Sequence, residues 1–370
     1  MNTRPVQVGI LGAGNVLSAY LQALDRLIPR GLASLGAVCA RRRESWPALK
    51  AQRPEINLVA DPADVLQSDA DVIVVITPPA SHAELIEQAL ANGKAVLAEK
   101  PLALTFADAQ RLVKLARERG SHLLCAPFVH LSPTFRALWS CIEGGAIGRI
   151  HSTRGLYGNA GSTWARWYHE GEVSPLAELG IYNLKSLTAL AGPVVEVLAA
   201  DCTAVSERLI AKEVMHNSAP DVSHVILRHE NGALSSIVSS HAIQRYKRPA
   251  LEIYGTDGTA NLLGDDWDPR GFEIWRNSQS FWEEHEPLEP TWLWTDGLRE
   301  LVMAVRECRS PLHNLSHDLH LLEIIEAAER AAREKTSIPV YSRFSDLNLH
   351  LEASSDRHHL HDHTRPVDEQ

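Results

Sequence analysis

The tripeptide Glu99-Lys100-Pro101 carries the residue types best suited to proton chemistry in this sequence. It follows the apolar segment 95–98, so the lysine stands at the end of a predicted buried strand. A poorly solvated lysine can donate a hydrogen bond, relay a proton or lower the pKa of a neighbouring phenol. Glu99 can pair with a cation or orient the turn, and Pro101 fixes the backbone. The alternative interpretation is an ordinary strand exit.

A glycine-containing turn near the start of the chain is suited to holding a phosphate group. Gly12 and Gly14 follow the apolar segment 6–11, and Asn15 and Val16 lead into a helical pattern. Gly12 permits a tight turn, and Gly14 allows the backbone to approach a pyrophosphate that the amides and dipole at the helix start would hold. The six-residue fingerprint is incomplete, because a leucine occupies the place of its third glycine. The turn predicts dinucleotide binding, with a plain strand–helix turn as the alternative.

The residues after the second predicted strand, 35–40, bear on the choice of dinucleotide. An acid usually stands there and binds the ribose hydroxyls of NAD. This sequence has Arg41, Arg42 and Arg43 instead, and guanidinium groups can pair with the 2′-phosphate of NADP. We therefore expect NADP rather than NAD, with Arg41 and Arg42 among the cofactor-binding residues. The alternatives are a solvated basic helix start and a ribose contact from Glu44.

The end of the next central strand supplies further candidates. Thr77 and Pro78 follow it, and the chain must turn there because proline cannot continue a ladder of strand hydrogen bonds. His82 begins the next helical pattern and would lie near the nicotinamide end of the cleft. We predict that these three residues, with Glu99 and Lys100, contact the cofactor. For His82 the alternative is a surface position at the helix start.

These residues require a particular arrangement of strands. Up to about residue 126, short apolar segments rich in β-branched residues alternate with helical patterns, which is typical of a parallel, doubly wound sheet with helices on both faces. Ligands of such sheets bind beyond the carboxyl ends of the strands, where Gly12, Arg41, Thr77 and Lys100 fall. We therefore predict an α/β dinucleotide-binding Rossmann domain over residues 1–126.

The second half of the chain has a different pattern. Several alternating segments between 150 and 254 indicate antiparallel strands, and Asn231-Gly232 between two of them is a strong hairpin signal. We predict an α+β substrate-binding and oligomerisation domain over residues 127–345, with a large open, mostly antiparallel sheet. Helices would cover one face and leave the other for a partner subunit or a substrate, so we expect a homo-oligomer, either a dimer or a tetramer.

Composition narrows the class of protein. The 370 residues suffice for two domains, and 45% hydrophobic with 22% charged residues suit a globular protein. The net charge of −10 argues against a nucleic-acid surface. The five cysteines are odd in number and form no C-x-x-C pair, so a reducing compartment is expected. Apolar runs are too short to cross a bilayer. We expect a cytoplasmic protein without membrane attachment.

The last segment, residues 346–370, is polar, and we predict a disordered tail. Its histidine cluster, between positions 358 and 363, could bind a metal weakly. A flexible tail is the preferred interpretation, and no metal site is predicted.

The motifs, in this order and spacing, resemble the glucose–fructose oxidoreductase / inositol dehydrogenase (GFO/IDH/MocA) family. The resemblance spans roughly residues 6–345 and rests on the glycine turn, on segments 77–82, 93–102 and 178–184, and on the antiparallel second half. It implies NAD(P)-dependent hydride transfer on a sugar, cyclitol or related polyol, with Lys100 as the active-site lysine.

The family's second motif has an aspartate followed four residues later by a histidine, and here those places hold Glu178 and Tyr182. A tyrosine there resembles the glucose–fructose oxidoreductase branch, which implies Tyr182 as the proton carrier and Lys100 as the cation that stabilises the tyrosinate. Glu178, one helical turn earlier on the same face, could bind a substrate hydroxyl or orient Lys100. The alternatives are helix packing for the tyrosine and a surface position for the glutamate.

A tryptophan-rich segment before this helix is a candidate sugar-binding loop. Sugar C–H faces pack on aromatic rings such as Trp164 and Trp167, and Arg166 or His169 could bond hydroxyls. Asn183 is a weaker candidate for substrate binding. Packing in the core or in an interface is the alternative for this segment.

Two other functions stay open. Some relatives of the family hold NAD tightly and cleave glycosides by transient oxidation and elimination. A non-catalytic regulator that binds a sugar or the cofactor would keep the fold without turnover. The sequence identifies neither the sugar nor the direction of the reaction.

Overall fold

The computed structural model describes residues 4–163, 166–171, 173–345, 347, 349 and 350, apart from the side chain of Trp167. These residues fall into two compact units, which we describe separately. Unit 1 runs to Phe128 and also includes Leu293–Leu319, and unit 2 comprises Val129–Trp292 and the chain from His320 onward. Trp164 and nearly all of the predicted tail lie outside the described residues.

The described part of unit 1 contains a six-stranded parallel sheet of order 3-2-1-4-5-6. Its strands are β1 (Val6–Leu11), β2 (Ala33–Cys39), β3 (Asn57–Val59), β4 (Val72–Val75), β5 (Ala95–Ala98) and β6 (Leu123–Cys125). Its first helices are α1 (Leu17–Leu27), α2 (Trp46–Gln52), α3 (Pro62–Leu66), α4 (His82–Ala91) and α5 (Phe106–Arg119). The predicted doubly wound sheet is confirmed, and its strand order reverses between β1 and β4, where ligands of such sheets bind.

The central strands of unit 1 are apolar throughout because both of their faces are covered. Every residue of β4 and β5 is buried, and β1 is buried except at Gln7. The continuous apolar runs in the sequence therefore correspond to strands at the centre of the parallel sheet.

The described part of unit 2 contains a nine-stranded sheet of order 16-15-14-13-7-12-11-8-17, in which β17 is Ile338–Pro339, and a separate two-stranded hairpin, β9–β10. Its elements up to residue 285 are α6 (Pro133–Glu143), β7 (Ile150–Gly158), α7 (Ile181–Ala191), β8 (Val194–Cys202), β9 (Glu207–Ile210), β10 (Glu213–His216), β11 (Val222–His229), β12 (Leu234–Ser240), β13 (Leu251–Gly255), β14 (Gly258–Asp265), β15 (Asp268–Arg276) and β16 (Trp282–His285). Neighbouring described strands of the large sheet run antiparallel, except that β7 and β12 are parallel. The predicted mostly antiparallel sheet is confirmed.

The chain returns to unit 1 after β16, which the sequence did not predict. The last elements are α8 (Gly297–Glu307), α9 (Leu315–Glu334), which begins in unit 1 and continues in unit 2, and β17 (Ile338–Pro339). α8 packs its apolar face, with Leu298, Leu301 and Val302 buried, against β1, β5 and α1. Leu293–Leu319 consequently belongs to unit 1, whereas the predicted second domain ran from 127 to 345 without interruption.

The large sheet of unit 2 has one face in the core and an apolar patch on the other. Val225 and Leu227 of β11 join the core, and Ile226 between them is 48% exposed. Ile226 pairs with Leu198 of β8, which is 42% exposed, and Leu234 at the start of β12 is 45% exposed. The outward face of these three strands therefore presents apolar side chains to solvent.

Helical membrane spans, disulfides and metal sites are absent from the described part of the chain. None of its helices has the length and apolar content that a bilayer crossing requires. All five cysteines are among the described residues and are free thiols. No group of three histidine, cysteine or carboxylate side chains in these residues could hold a metal ion.

Candidate functional site

The turn after β1 requires glycine at its first position. Gly12 has a φ of +114°, and a Cβ atom there would lie 2.7 Å from the carbonyl oxygen of Ile76. Its amide donates to the carbonyl of Cys39 at 3.1 Å. Gly12 thus lets the backbone pass between the ends of β2 and β4, which any larger residue would prevent.

The following residues leave open space beside the first turn of α1. Gly14 and Asn15 are exposed, and no described atom lies within 4 Å of the position that a Cβ would take on Gly14. α1 begins after Val16, and no described side chain caps its first amides. Leu17, in the place of the third fingerprint glycine, is buried in the core. A helix start without a side-chain cap, beside open space, fits a pyrophosphate group.

The three arginines after β2 differ in their surroundings. Arg41 and Arg42 are exposed at the carboxyl end of the strand. The guanidinium of Arg43 lies 5.4 Å from the ring centre of Trp46, whose Nε1 donates to the carbonyl of Ala40 at 2.9 Å. Arg43 therefore takes part in local packing, whereas Arg41 and Arg42 present their charges to solvent.

His82 joins the chain segments that follow β4 and β5. Its Nδ1 lies 2.8 Å from the carbonyl oxygen of Pro101, and its Nε2 lies 2.8 Å from that of Thr77. The ring is fully buried, and burial lowers the pKa of His82. The surface alternative is therefore wrong for this residue. Because the ring has no exposed surface, it would serve a cofactor site indirectly, by positioning the backbone segments whose carbonyls it contacts. Pro78, which follows Thr77 in one of these segments, is exposed.

Glu99 orients the turn that carries Lys100. Its buried carboxylate accepts a hydrogen bond from the hydroxyl of Tyr20 at 2.7 Å and another from the backbone amide of Lys100 at 3.2 Å. The ring of Tyr20 meets Trp294 edge-to-face at 6.0 Å. Of the two roles expected for Glu99, the contacts fit orientation of the turn. Sequence reasoning missed Tyr20, because a helical tyrosine 79 positions away gives no local signal.

Unit 1 brings several predicted residues to one edge of its sheet. β1 pairs with β4, and β4 pairs with β5, all in parallel. Gly12, Thr77 and Lys100 follow these three strands, so they stand at the carboxyl ends of neighbouring strands. This is the edge where doubly wound sheets bind their ligands.

In unit 2 a π-helical turn, Leu176–Gly180, leads into α7 and carries Glu178. The sequence predicted a helix here without this irregularity; π-helical turns occur frequently at functional sites. A Cβ atom on Gly180 would overlap the Ser239 hydroxyl, so the turn lies directly on β12. Tyr182 follows in the first turn of α7, and its partly buried ring meets Tyr157 of β7 edge-to-face at 5.6 Å.

Tyr168 is a further candidate site residue, which sequence reasoning missed. Its hydroxyl accepts a hydrogen bond from Nδ2 of Asn159 at 3.4 Å, and its ring centre lies 4.2 Å from that of His241. Burial, and next the charge of Glu178, raise the pKa of Tyr168. The tryptophan-rich composition of the segment was the only signal for it.

The predicted substrate-binding residues of the tryptophan-rich segment differ in how far the structure describes and exposes them. Trp164 and the side chain of Trp167 lie outside the described residues. Arg166 is exposed and makes loose ion pairs with two glutamates. His169 is buried, and its Nε2 is engaged by the backbone of Ser162. Of the two whose side chains the structure describes, Arg166 lies at the surface and His169 does not.

Asn183 is fully buried, which contradicts its predicted contact with substrate. Its Nδ2 donates to the carboxylate of Asp266 at 3.0 Å. The correction has a simple cause: one residue along a helix turns the side chain by about 100°, so the neighbour of a partly exposed tyrosine faces the core.

Two family models match the chain. Residues 6–126 match the model described as oxidoreductase family, NAD-binding Rossmann fold. Residues 135–261 match the model of the GFO/IDH/MocA C-terminal domain. The two models describe the halves of one family of oxidoreductases.

The chain is also similar to individual proteins. It is 27% identical over 341 residues to trans-1,2-dihydrobenzene-1,2-diol dehydrogenase of Bos taurus, covering 87% of this chain and 96% of that protein. It is 30% identical over 202 residues to dTDP-3,4-didehydro-2,6-dideoxy-alpha-D-glucose 3-reductase of Actinomadura kijaniata, covering 54% of this chain and 60% of that reductase, less than two thirds of its length.

Solved structures share the fold. Aldose-aldose oxidoreductase from Caulobacter crescentus, complexed with glycerol, superposes with a TM-score of 0.76 at 21% identity and covers 91% of this chain and 100% of the other. Levoglucosan dehydrogenase, in complex with NADH and levoglucosan, gives a TM-score of 0.80 at 19% identity, with coverage of 91% and 100%.

Proposed function

The chain belongs to the GFO/IDH/MocA family of oxidoreductases, and from that premise we propose that it transfers a hydride between a nicotinamide cofactor and a sugar, cyclitol or related polyol. The observation that supports this best is the position of Lys100. It follows β5 at the carboxyl edge of the parallel sheet, and its backbone amide is held by a buried carboxylate. A lysine whose backbone is held at this edge can direct its ammonium group to the oxygen of a bound alcohol or carbonyl.

We infer that unit 1 holds the cofactor. The turn 12–16 borders the open space at the start of α1, which suits the pyrophosphate, and Thr77 would flank the nicotinamide half. When bound, the cofactor accepts or supplies a hydride at its nicotinamide ring. His82 and Glu99 support the site from within the unit, because they fix the segments that carry Thr77 and Lys100.

We assign the proton transfer to Tyr182 and the stabilisation of charge to Lys100. The phenol would take the proton of a substrate hydroxyl during oxidation, or return it during reduction. A phenol ordinarily ionises near pH 10, and positive charge favours its ionised form. Glu178 and Tyr168 would bond further substrate hydroxyls, since together they offer acceptors and a donor. Such a set suits a polyol.

The test uses Lys100→Ala and Tyr182→Phe, assayed with NAD(P) and a panel of polyols. Each variant should abolish turnover, while the dissociation constant of the cofactor changes by less than about tenfold because the pyrophosphate turn is untouched. Lys114→Ala, 77% exposed on α5, is the matched control and should keep full activity.

Besides turnover retained by Tyr182→Phe, three results would count against the proposal. Turnover retained by Lys100→Ala would refute the role of the lysine. Glycoside cleavage by the unaltered protein, with no net change in added cofactor, would favour transient oxidation and elimination. Cofactor binding without turnover of any polyol would favour a regulator.

We further propose NADP as the preferred cofactor. Arg41 and Arg42 are exposed and can pair with a 2′-phosphate, whereas Arg43 is engaged with Trp46. Replacing Arg41 and Arg42 by alanine should lower kcat/KM for NADPH by about tenfold, equivalent to about 1.4 kcal/mol, and leave that for NADH unchanged. Arg43→Ala is the control. Equal losses with both cofactors would contradict the preference.

We also propose that a second copy of the chain covers the apolar patch on the large sheet. Leu198, Ile226 and Leu234 expose 42%, 48% and 45% of their surfaces on neighbouring strands. Ile226→Asp would place a charge in such an interface and should shift the protein towards the monomer in analytical ultracentrifugation. Leu312→Asp, at a position 38% exposed in unit 1, is the control. A monomeric unaltered protein would refute this proposal.

A further inference from the structure

The hairpin that joins β14 to β15 has an unusual, buried tip. Asp265 and Asp268 form the last strand pair, and Asp266 and Trp267 make the turn between them. The register shifts just before Gly264, whose φ is +79°, so the strand bends at a bulge. Asp266 is only 1% exposed, although loop residues normally lie at the surface.

One carboxylate oxygen of Asp266 holds the first turns of α7. Its Oδ2 accepts hydrogen bonds from Nδ2 of Asn183 at 3.0 Å and from the hydroxyl of Ser186 at 3.2 Å. The two donors are three residues apart and therefore share one face of the helix. The first of them directly follows Tyr182, so the buried carboxyl fixes the turn that carries this tyrosine.

β7 fixes the same turn from the sheet side. A Cβ atom on Gly155 would lie 2.8 Å from Cβ of Asn183, so this side chain rests directly on the strand. Two residues along the same face of β7, Tyr157 contacts the ring of Tyr182. The start of α7 therefore cannot rotate about its axis without breaking either a buried hydrogen bond or a packed contact.

We propose that Asp266 is a positioning residue, which sets the rotation of α7 through Asn183 and Ser186 and thereby directs the phenol of Tyr182. The inference rests on the proposed function, in which Tyr182 carries the proton. What the role requires is an acceptor oxygen rather than a negative charge, because both donors are neutral. Burial, supported by the charge of Asp265, raises the pKa of Asp266 to about 7, so a neutral carboxyl is compatible with it.

Two substitutions separate the oxygen from the charge. Asp266→Asn retains an acceptor and should keep kcat within about threefold, whereas Asp266→Ala should lower kcat by about tenfold or more, because small misplacements of a reacting group are costly. The dissociation constant of the cofactor should stay unchanged in both, since the cofactor turn belongs to unit 1. Asp268→Asn, with its side chain 56% exposed on the same hairpin, is the matched control.

Ser186→Ala provides a second test, which does not depend on whether Asp266→Ala folds. It removes one of the two donors, so kcat should fall by about two- to fivefold with unchanged cofactor binding. A kcat equal to that of the unaltered protein in Asp266→Ala, or in Ser186→Ala if the former does not fold, would overturn the inference. Equal losses in Asp266→Asn and Asp266→Ala would overturn it as well, because the oxygen would then not be the required feature.

Tyr182→Phe distinguishes this inference from the proposed function. If that variant retains turnover, the proposed function fails, and the positioning role fails with it. If it is inactive while Asp266→Ala turns over normally, only the positioning role fails.

Discussion

The candidate functional surfaces of the two units differ in whether backbone or side-chain groups form them. In unit 1 the surface is mainly backbone: the turn at Gly12, two carbonyls beside the His82 ring, and the amide of Lys100. In unit 2 it consists of side chains whose surroundings include buried carboxyl groups, among them Asp266 and Asp221. A backbone surface suits a ligand common to many proteins, such as a dinucleotide. A side-chain surface can change with the substrate while the sheet beneath it is kept.

The largest expected effect concerns a buried ion pair of unit 2. Arg208 donates to Asp221 at 2.7 Å and to the carbonyls of Ala160 and His241, and the two charged side chains are 7% and 2% exposed. Arg208→Ala leaves a buried carboxylate without its cation, so the free energy of unfolding should fall by about 3–5 kcal/mol in a denaturant titration. Arg228→Ala, whose ion pair is exposed, should cost less than about 1 kcal/mol. Similar losses of unfolding free energy in the two variants would show that the buried ion pair stabilises unit 2 no more than an exposed one does.

The next effect is a dependence of stability on pH that arises from Asp266. The folded protein raises its pKa from the ordinary 3.8 to about 7, which favours the neutral carboxyl. The contribution of this group to stability is therefore fully present below pH 3.8 and is lost as the pH rises through about 7. Asp266→Asn removes this dependence. The unfolding free energy of the variant relative to the unaltered protein should rise by about 3 kcal/mol from pH 5 to pH 8.

Asp268→Asn, at a side chain 56% exposed on the same hairpin, is the matched control for this measurement. A flat profile for Asp266→Asn would mean that the buried carboxyl is stabilised in its ionised form, contrary to the direction expected from burial.

Two glycines of unit 1 should separate stability from cofactor binding. Gly12→Ala forces a side chain into a left-handed conformation and against the carbonyl of Ile76, so it should cost about 2 kcal/mol of stability. Gly14→Ala meets no described atom and should change stability by less than about 0.5 kcal/mol, yet its methyl group would occupy the pyrophosphate space and weaken cofactor binding about tenfold. Unchanged cofactor affinity in Gly14→Ala would place the pyrophosphate elsewhere.

The contrast between the units also explains what the sequence could predict. The candidate functional edge of unit 1 arises where short apolar strands end, so Gly12, Thr77 and Lys100 could be placed there by local pattern alone. His82 was harder, because its position at a helix start is compatible with exposure, and only the fold shows that Thr77 and Pro101 enclose its ring.

The site of unit 2 depends on contacts that no local pattern contains. Asn183 and Asp266 are 83 positions apart, and a carboxylate in a hairpin turn predicts exposure rather than burial. Tyr182 was located only through the resemblance to a family, and its neighbour Asn183, predicted as a weaker candidate for substrate binding, is fully buried. The return of Leu293–Leu319 to unit 1 was missed for the same reason. The periodicity of an amphipathic helix predicts its apolar face, but it does not predict which sheet that face covers.

The smallest expected effect concerns Glu99, the buried carboxylate that precedes Lys100 at the carboxyl edge of the unit 1 sheet. Tyr20 donates to Glu99 at 2.7 Å, and Glu99 also holds the amide of Lys100. Tyr20→Phe removes one hydrogen bond but keeps the ring, so it should cost about 1 kcal/mol of stability. Because the bond between Glu99 and the amide remains, kcat should fall by less than about fivefold. Denaturant titration and steady-state kinetics measure the two effects, with Tyr341→Phe, at a tyrosine 78% exposed, as control.

A loss of turnover in Tyr20→Phe as large as that in Lys100→Ala would contradict this expectation. It would mean that Lys100 is positioned by side-chain hydrogen bonds that extend to α1, just as we propose that Asp266 positions Tyr182. The two units would then position their reacting groups by the same physical means. A small effect instead leaves the backbone of the strand end as the feature that fixes Lys100, because the turn would keep its shape after one of the two bonds to Glu99 is gone.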